Sequence, residues 1–584
     1  MLELVLQQAG VSEPGFARKT VKWAITCTAE GRYTGVVALG EGKGRGFDAC
    51  PNVSQPELIG GSEPRSHFLV ESLPTVVLYL DEKLEDKDRE KLYSKHDWFV
   101  GLLRQAAQAA PYLEAMANLL TDTETLNLIQ ADLKQIKAKF TEAAIVIVDG
   151  INPLERDDWR DWWRGFRASL RPPKTGGDQL MRCILTGEMI EPVATNPKIK
   201  GLAGVGGLSM GDVLAGFDKA AFQSYGLEQA ANAAMSEATA TAYAETLNRL
   251  IADKSIKLGN TLATYWFTGQ NDIQAEDEVM AWFVEPPEQT AGAAERHAHA
   301  LLTSIRTGQR SDLANARFVS LLLSGAAGRV MVREVMQGSF EELVAHTEAW
   351  FRDLSIIARD GTSYAHDPKF LAVAGSLVRE LKDIPSPWLQ QLWRAAITGG
   401  LIPAATLAQA IARARIDSIQ NTPASHARMA LIKAYLIRNQ GDNNMKPHMN
   451  PEHPAPSYHC GRALALFARL QRAALGDVGA GVVQRYYTAA SQTPGLVLGR
   501  LAANAKNHLG KLDGGLAFWY ENQLAGIMSS IGDAVPRTLT LEEQSLFALG
   551  YYQQLAMLNA GKQTASAIPS TSSNPPHPTQ ETTV

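Results

Sequence analysis

The residues of this chain best suited to chemistry are cations and polar donors set among glycines. Lys198-Ile199-Lys200-Gly201 places two lysines on one short step, and Gly204, Gly206, Gly207 and Gly211 follow closely. Glycine takes positive φ and lets backbone lie against backbone without a Cβ clash. Phe222-Gln223-Ser224-Tyr225-Gly226 adds aromatics, and Asn232 precedes a helix start near Met235 and Ser236. Lysines, a glycine-rich loop and a helix start suit a cradle for nucleic-acid phosphate. A second group lies earlier, in Gly40-Glu41-Gly42-Lys43-Gly44-Arg45-Gly46. Held between strands, this loop either presses backbone and the cations Lys43 and Arg45 against a duplex, or is a hairpin tip whose charges are solvated. Arg65, Ser66 and His67 can donate to phosphates or base edges. They equally suit a turn leading into the buried strand Phe68 to Val70.

Other candidate chemistries fail on composition or spacing. Ile145-Val146-Ile147-Val148-Asp149 has the look of a magnesium-binding strand, but no G-x-x-x-x-G-K-[ST] accompanies it, so a triphosphate cradle is excluded. His297 and His299, two apart on a helix, point to different faces. His96-Asp97 and His366-Asp367 lack the further ligands a two-metal nuclease needs, and read as surface residues. Cys27, Cys50, Cys183 and Cys460 form no CxxC pair, which argues against a structural zinc site and a disulfide framework. Trp159, Trp162 and Trp163 share a helix flank, either stacking on bases or anchoring a domain interface or core. No cofactor, metal ligand or catalytic residue is assigned.

The elements that must position these groups read as an α+β fold. Mixed N-terminal and central regions with short β-sheets precede a C-terminal helical bundle. A chain of 584 residues exceeds one core, and five segments are predicted. Residues 1–150 form an N-terminal α+β domain whose hairpin, Lys22 to Leu39, turns at Glu30-Gly31-Arg32. Residues 151–375 form a central α+β region, with a helix carrying the stripe Tyr243, Leu247, Leu250. Residues 376–444 are helical, with a basic tilt from Arg413, Arg415, Arg428, Lys433 and Arg438. The Pro- and Asn-rich stretch Gln440 to Pro456 reads as a linker. Residues 457–562 form a mildly basic bundle, and 563–584 a disordered tail. The net charge of −5 restricts any nucleic-acid binding to local basic patches or basic partner subunits. The most apolar window, Phe318 to Met336, is broken by Arg329, Arg333 and Glu334, and the N-terminus lacks a signal-peptide pattern, so a cytoplasmic protein without a membrane span is expected.

Thr186-Gly187-Glu188, the KIKG step, Ser224-Tyr225-Gly226, the run Asn232-Ala233-Ala234-Met235-Ser236-Glu237 and Tyr243 through Asn248 succeed one another in a characteristic order. With Lys43 to Phe47, Arg65 to Val70, Leu323 to Arg333, Tyr458 to Arg462 and Phe547 to Tyr552, that order resembles the large subunit of the type I-C (Dvulg subtype) CRISPR Cascade surveillance complex. Where that family has a His before the KIKG step and N-A-P-V-S-E after it, this chain has Thr195-Asn196 and Ala234-Met235. The resemblance implies a non-catalytic subunit that reads the protospacer-adjacent motif in double-stranded DNA and promotes R-loop formation. It implies CRISPR RNA, backbone and 5′-handle Cascade subunits and a separate helicase-nuclease as partners. It also implies a small subunit internally initiated near Met445 or Met449. Lys43, Arg45, Arg65, Ser66 and His67 would lie at the motif duplex, and Lys198, Lys200, Tyr225 and Asn232 at a groove or strand. The alternative is a metal-dependent nuclease or hydrolase whose site is assembled from distant residues.

Overall fold

A computed structural model describes residues 1–10, 13–42, 44–54, 57–58, 64–170, 180–269, 279–287 and 290–566, without the side chains of 561–566. Lys43 and residues 567–584 of the tail lie outside the described residues. The architecture is α+β, as the sequence predicts. It divides into two compact units, Met1–Ser255 with Leu323–Arg333, and Ile256–Leu322 with the chain from Glu334 onward.

In the first unit, β1 (Phe16–Val21) pairs antiparallel with β4 (Arg45–Pro51). The expected hairpin forms from β2 (Trp23–Cys27) and β3 (Tyr33–Ala38), in the register Trp23 to Ala38. A four-stranded sheet then runs β3-β2-β6-β5, with β5 at Glu71–Ser72 and β6 at Ala143–Val148, β6 parallel to β2. Its central strands β2 and β6 are largely buried, and three helices supply apolar residues to the same core: α1 (Asp86–Ala106), α2 (Tyr112–Thr121) and α3 (Thr123–Gln135). Pro111 separates α1 from α2 because its ring forbids a continuing helix. The mixed-charge run Asp81 to Lys91, expected to be a solvated helical face, is helical only from Asp86, where it forms the solvated start of α1.

Helix α4 (Arg160–Ser169) settles the tryptophan cluster as an anchor. Trp159 and Trp163 are fully buried, Phe68 stacks on Trp163 at 5.5 Å, and their indole N–H groups donate to the Pro153 and Gly15 carbonyls. His96 corrects the surface expectation: its ring is buried in the core with Nδ1 2.9 Å from the Thr75 carbonyl and Nε2 3.1 Å from the Leu120 carbonyl, and in either neutral tautomer its one N–H donates to one of the two. Short strands β7 (Met181–Arg182), β8 (Met189–Ile190), β9 (Lys198–Ile199) and β10 (Asp212–Val213) precede α5 (Glu237–Asp253). Ser236 caps α5 by accepting from Thr239 N–H, and Tyr243, Leu247 and Leu250 face inward as their spacing requires.

In the second unit, β11 (Ser255–Leu258), β12 (Thr261–Thr268), β13 (Arg317–Ala326) and β14 (Arg329–Ser339) lie side by side. Ala327 and Gly328, both at positive φ, make the β13–β14 turn, and the hairpin tip belongs to the first unit. There β10 pairs parallel with β14 and antiparallel with β9. Helices α6 (Ala293–Arg306), α7 (Phe340–Leu354), α8 (Ser386–Thr398), α9 (Ala404–Ile419) and α10 (His426–Gln440) enclose a core containing Trp350, Trp393, Phe283 and Phe370. Asp367, read as surface, is half-buried and accepts from Gly292 and Ala294 N–H at the start of α6.

A further core is built by α11 (Pro456–Leu475), α12 (Val482–Ala490), α13 (Pro494–Leu509), α14 (Gly514–Ile531) and α15 (Leu541–Ser566). Helix α15 therefore runs past residue 562, where the tail was expected to begin. Helices α11 and α15 cross closely through glycines: a Cβ on Gly461 would stand 2.0 Å from the Phe547 carbonyl, and one on Gly550 2.0 Å from that of Tyr458. The stretch before α11 is a packed strap rather than a free linker. Met445, Asn450 and His453 are buried, Asn450 bridges Asn444 O and Glu452 N, and His453 meets Asp442 at 3.2 Å. Its prolines and asparagines fix turns, and the turns are covered by side chains. Among the described residues no helix is long and apolar enough to cross a membrane.

Candidate nucleic-acid interface

The KIKG step stands at the surface of the first unit on a specific support. Lys198 and Lys200 are exposed, and neither forms an ion pair among the described residues. Between them Ile199 is buried, and Asn248 of α5 grips the backbone on both sides of it. Asn248 Oδ1 accepts from Lys200 N–H at 2.7 Å, while its amide lies 3.4 Å from Lys198 O. The spacing from KIKG to the terminal Asn of the Tyr243–Asn248 run is thus a contact, which the sequence reading quoted without giving it a role.

Gly206, Gly207 and Gly211 after this step are consumed internally, correcting the phosphate-cradle expectation. Gly207 packs so closely that a Cβ would stand 2.3 Å from Asp212 Oδ2, and a Cβ on Gly325 would meet Gly207 Cα at 2.1 Å. Asp212 is fully buried, and its carboxylate accepts from Leu208 N–H at 3.1 Å. The loop's anion is its own carboxylate. The N-terminal glycine loop behaves similarly at one position, since a Cβ on Gly44, at φ +111°, would lie 2.4 Å from the Val21 carbonyl. Gly42 meets nothing within 4 Å, and Lys22 Nζ donates to its carbonyl at 2.8 Å. Arg45 opens β4 half-exposed, over the Phe47 ring at 4.9 Å and 3.5 Å from Glu155.

Arg65 lies over the Trp98 ring at 5.4 Å and donates to Glu57 O at 2.6 Å. Ser66 is fully buried, its hydroxyl donating to His67 O. His67 Nδ1 accepts from Val53 N–H at 3.0 Å, which puts the ring proton of the neutral form on Nε2. Burial, then Lys19, Lys200 and Lys95, hold the His67 imidazole well below its ordinary pKa. The separate groups 65–67 and 198–200 therefore share one positive neighbourhood, to which Lys19 and Lys95 also contribute. Lys19 escaped the sequence reading because its strand partners are remote. Its ammonium donates to the Pro51 and Val70 carbonyls, and burial lowers its pKa to about 8.

Tyr225 is the most unusual residue of the region. It is 100% exposed and holds φ +54°, a left-handed conformation that disfavours side chains with a Cβ. Asn232 maintains it: its Oδ1 accepts from Ser224 N–H at 3.0 Å, and its amide donates to the Leu227 and Gln229 carbonyls at 2.9 and 3.0 Å. Asn232 is a support for the tip, and Tyr225 is the tip. Nearby, Arg329 of the hairpin lies over Phe222 at 4.3 Å and 3.6 Å from Asp218.

The basic tilt expected at 376–444 is neutralised inside the second unit. Arg428 and Arg413 bond to Asp417, Arg438 bonds to Asp353 at 2.7 Å, and Lys433 is buried. Long side chains on inward faces pair because an unpaired buried charge is destabilising. Arg462 and Arg469 turn inward too, to Gln554 and to Leu558 O. Exposed cations do remain on the last module, at Arg485, Arg500, Lys506, Lys511 and Arg537. Among the described residues no group of three or more His, Cys, Asp or Glu is placed to hold a metal ion.

A family model described as CRISPR-associated protein (Cas_Csd1) matches residues 3–558. No curated protein matches the chain.

Proposed function

The chain belongs to the Cas_Csd1 family of CRISPR-associated proteins, and on that premise we propose that it is the non-catalytic large subunit of a type I-C surveillance complex. It reads a short motif in target duplex beside the RNA-guided site and helps part the strands. The pairing of guide RNA with target carries the sequence information, so the protein needs few base contacts and many backbone contacts. Its partners are CRISPR RNA, the backbone and 5′-handle subunits, and a helicase-nuclease that performs the cutting.

The observation carrying this reading is Tyr225, a wholly exposed aromatic kept in a costly backbone conformation by three hydrogen bonds from one asparagine. Strain maintained by its surroundings is a mark of functional tips. An aromatic so presented can stack on a base at the fork, with Lys198, Lys200 and Arg45 neutralising phosphates and Lys43 adding charge in the N-terminal loop.

Assembled complex carrying Tyr225→Ala should lose affinity for motif-bearing duplex by about 1–3 kcal/mol, and Tyr225→Phe should retain it. Strand opening, followed by 2-aminopurine fluorescence next to the motif, should fall in parallel. Unchanged opening and affinity in Tyr225→Ala would sink the assignment. Metal-dependent DNA cleavage by the purified chain, abolished by a single Asp or His substitution, would instead favour the nuclease alternative.

A further inference from the structure

The turn that follows the KIKG step carries two side chains that the preceding reading leaves unused. Leu208 is 51% exposed and Met210 75% exposed, on either side of Ser209. Scattered singly, such residues are ordinary on a protein surface. Here two share the tip of one turn, beside the exposed Lys198 and Lys200.

The tip is braced from below. Leu208 N–H donates to both carboxylate oxygens of buried Asp212, at 3.1 and 3.2 Å, and Gly211 N–H closes the turn on Leu208 O at 3.0 Å. Gly206 and Gly207 lie against the β13–β14 hairpin, where a Cβ on Gly206 would stand 2.8 Å from the Gly325 carbonyl. Asp212 pairs with Ile199 across β9 and β10, so the tip is in fixed register with the KIKG step. Gly211 sits so near that a Cβ would stand 3.0 Å from Lys198 Cβ and 3.3 Å from Lys200 Cγ. The glycines and the carboxylate that exclude a phosphate cradle thus build a stiff base. What that base pushes into solvent is a leucine and a methionine.

Apolar side chains on a braced turn beside cations suit duplex DNA at a step being unstacked. Leucine and methionine are among the side chains that enter a base step and kink the helix. A pyrimidine followed by a purine unstacks most readily. We propose that Leu208 and Met210 form an apolar wedge that enters a base step beside the motif, while Lys198 and Lys200 hold the phosphates flanking it. The proposal rests on the duplex-reading role above and adds to it a selection by deformability: steps that unstack easily open first. Tyr225 acts afterwards, on a base already freed.

The assembled complex carrying Leu208→Ser together with Met210→Ser tests this, and the fold should tolerate both changes because both side chains are exposed. On fully paired motif duplex, opening followed by 2-aminopurine fluorescence should slow about tenfold. On duplex already mismatched beside the motif the unstacking is done, and the rate should return to within about twofold of the unaltered complex. The logarithmic salt slope of binding should stay as it was, because no charge is lost, whereas Lys198→Gln should lower it by about 0.9. Met210→Leu, with Leu208 intact, should open duplex normally. The unaltered complex should open a pyrimidine–purine step beside the motif faster than a purine–purine step, and that preference should shrink in the double variant. Equal slowing on paired and mismatched duplex would make the turn an ordinary contact, and unchanged opening of paired duplex would remove it from strand separation. Either result overturns the wedge. Loss of a subunit from the purified variant complex would assign the turn to a protein interface and overturn it as well. Tyr225→Ala removes a stack made on a freed base, so mismatches should not rescue it. Failure of the wedge and failure of the Tyr225 reading are therefore separable.

Discussion

His67 shows what surroundings do to one residue. In sequence it is a histidine beside an arginine and a serine, suited to donate to DNA. In the fold its Nδ1 is committed to Val53 N–H, and burial and three lysines suppress its protonation. Its pKa falls on folding, so below its ordinary 6.5 the unfolded chain holds a proton that the folded chain refuses. Stability is then present above about that pH and lost as pH falls toward the folded value, with a slope of at most about 1.4 kcal/mol per pH unit. His426, His459 and His508 shift the same way and add to the trend. His67→Asn keeps an acceptor at the Nδ1 position for Val53 and removes the titration. Its urea midpoint should depend less on pH between about 5.5 and 7 than that of the unaltered chain. Equal pH dependence in the two proteins would show that His67 titrates normally.

At the scale of elements, glycine position separates packing from freedom. Gly461 and Gly550 let α11 and α15 touch backbone to backbone, whereas Gly526 in α14 has nothing within 4 Å. Alanine raises helix propensity at either place by up to about 1 kcal/mol. At Gly461 the added methyl meets a carbonyl, and overpacking outweighs propensity by about 2 kcal/mol or more. Gly461→Ala should therefore lower the urea midpoint while Gly526→Ala raises it slightly. A stabilising Gly461→Ala would mean that the α11–α15 contact is looser than described. The same distinction holds in the loops: Gly207 and Gly44 face their own chain, whereas Gly42 and Gly226 stand in open space.

Across the whole chain, the last module owns a core that includes Leu464, Phe467, Leu470, Leu501 and Phe547. Tyr458, Ala548, Leu549 and Tyr552 of the same helices belong instead to the core of α6–α10. A product starting at Met445 or Met449 would carry the first core complete, keep Asn450 to His453 without their Asn444 and Asp442 partners, and leave the second face seeking cover. We expect such a fragment in mass spectra of the purified complex, associated with it and absent as free monomer. Replacing both methionines should remove it, and its persistence would point to proteolysis.

By itself the sequence determined the α+β class, the β2–β3 hairpin, the start and inward stripe of α5, and the two lysines of KIKG that remain exposed. These depend on local propensity and periodicity, which short windows carry. Tertiary structure alone decided that the glycine run wraps Asp212, that Arg413, Arg428 and Arg438 are paired within, that His96 lies in the core and that the Pro-rich strap is covered. Each of those outcomes depends on partners far away in the chain. A residue's type limits the chemistry it can do, but only the packing around it fixes whether that chemistry faces solvent or its own backbone.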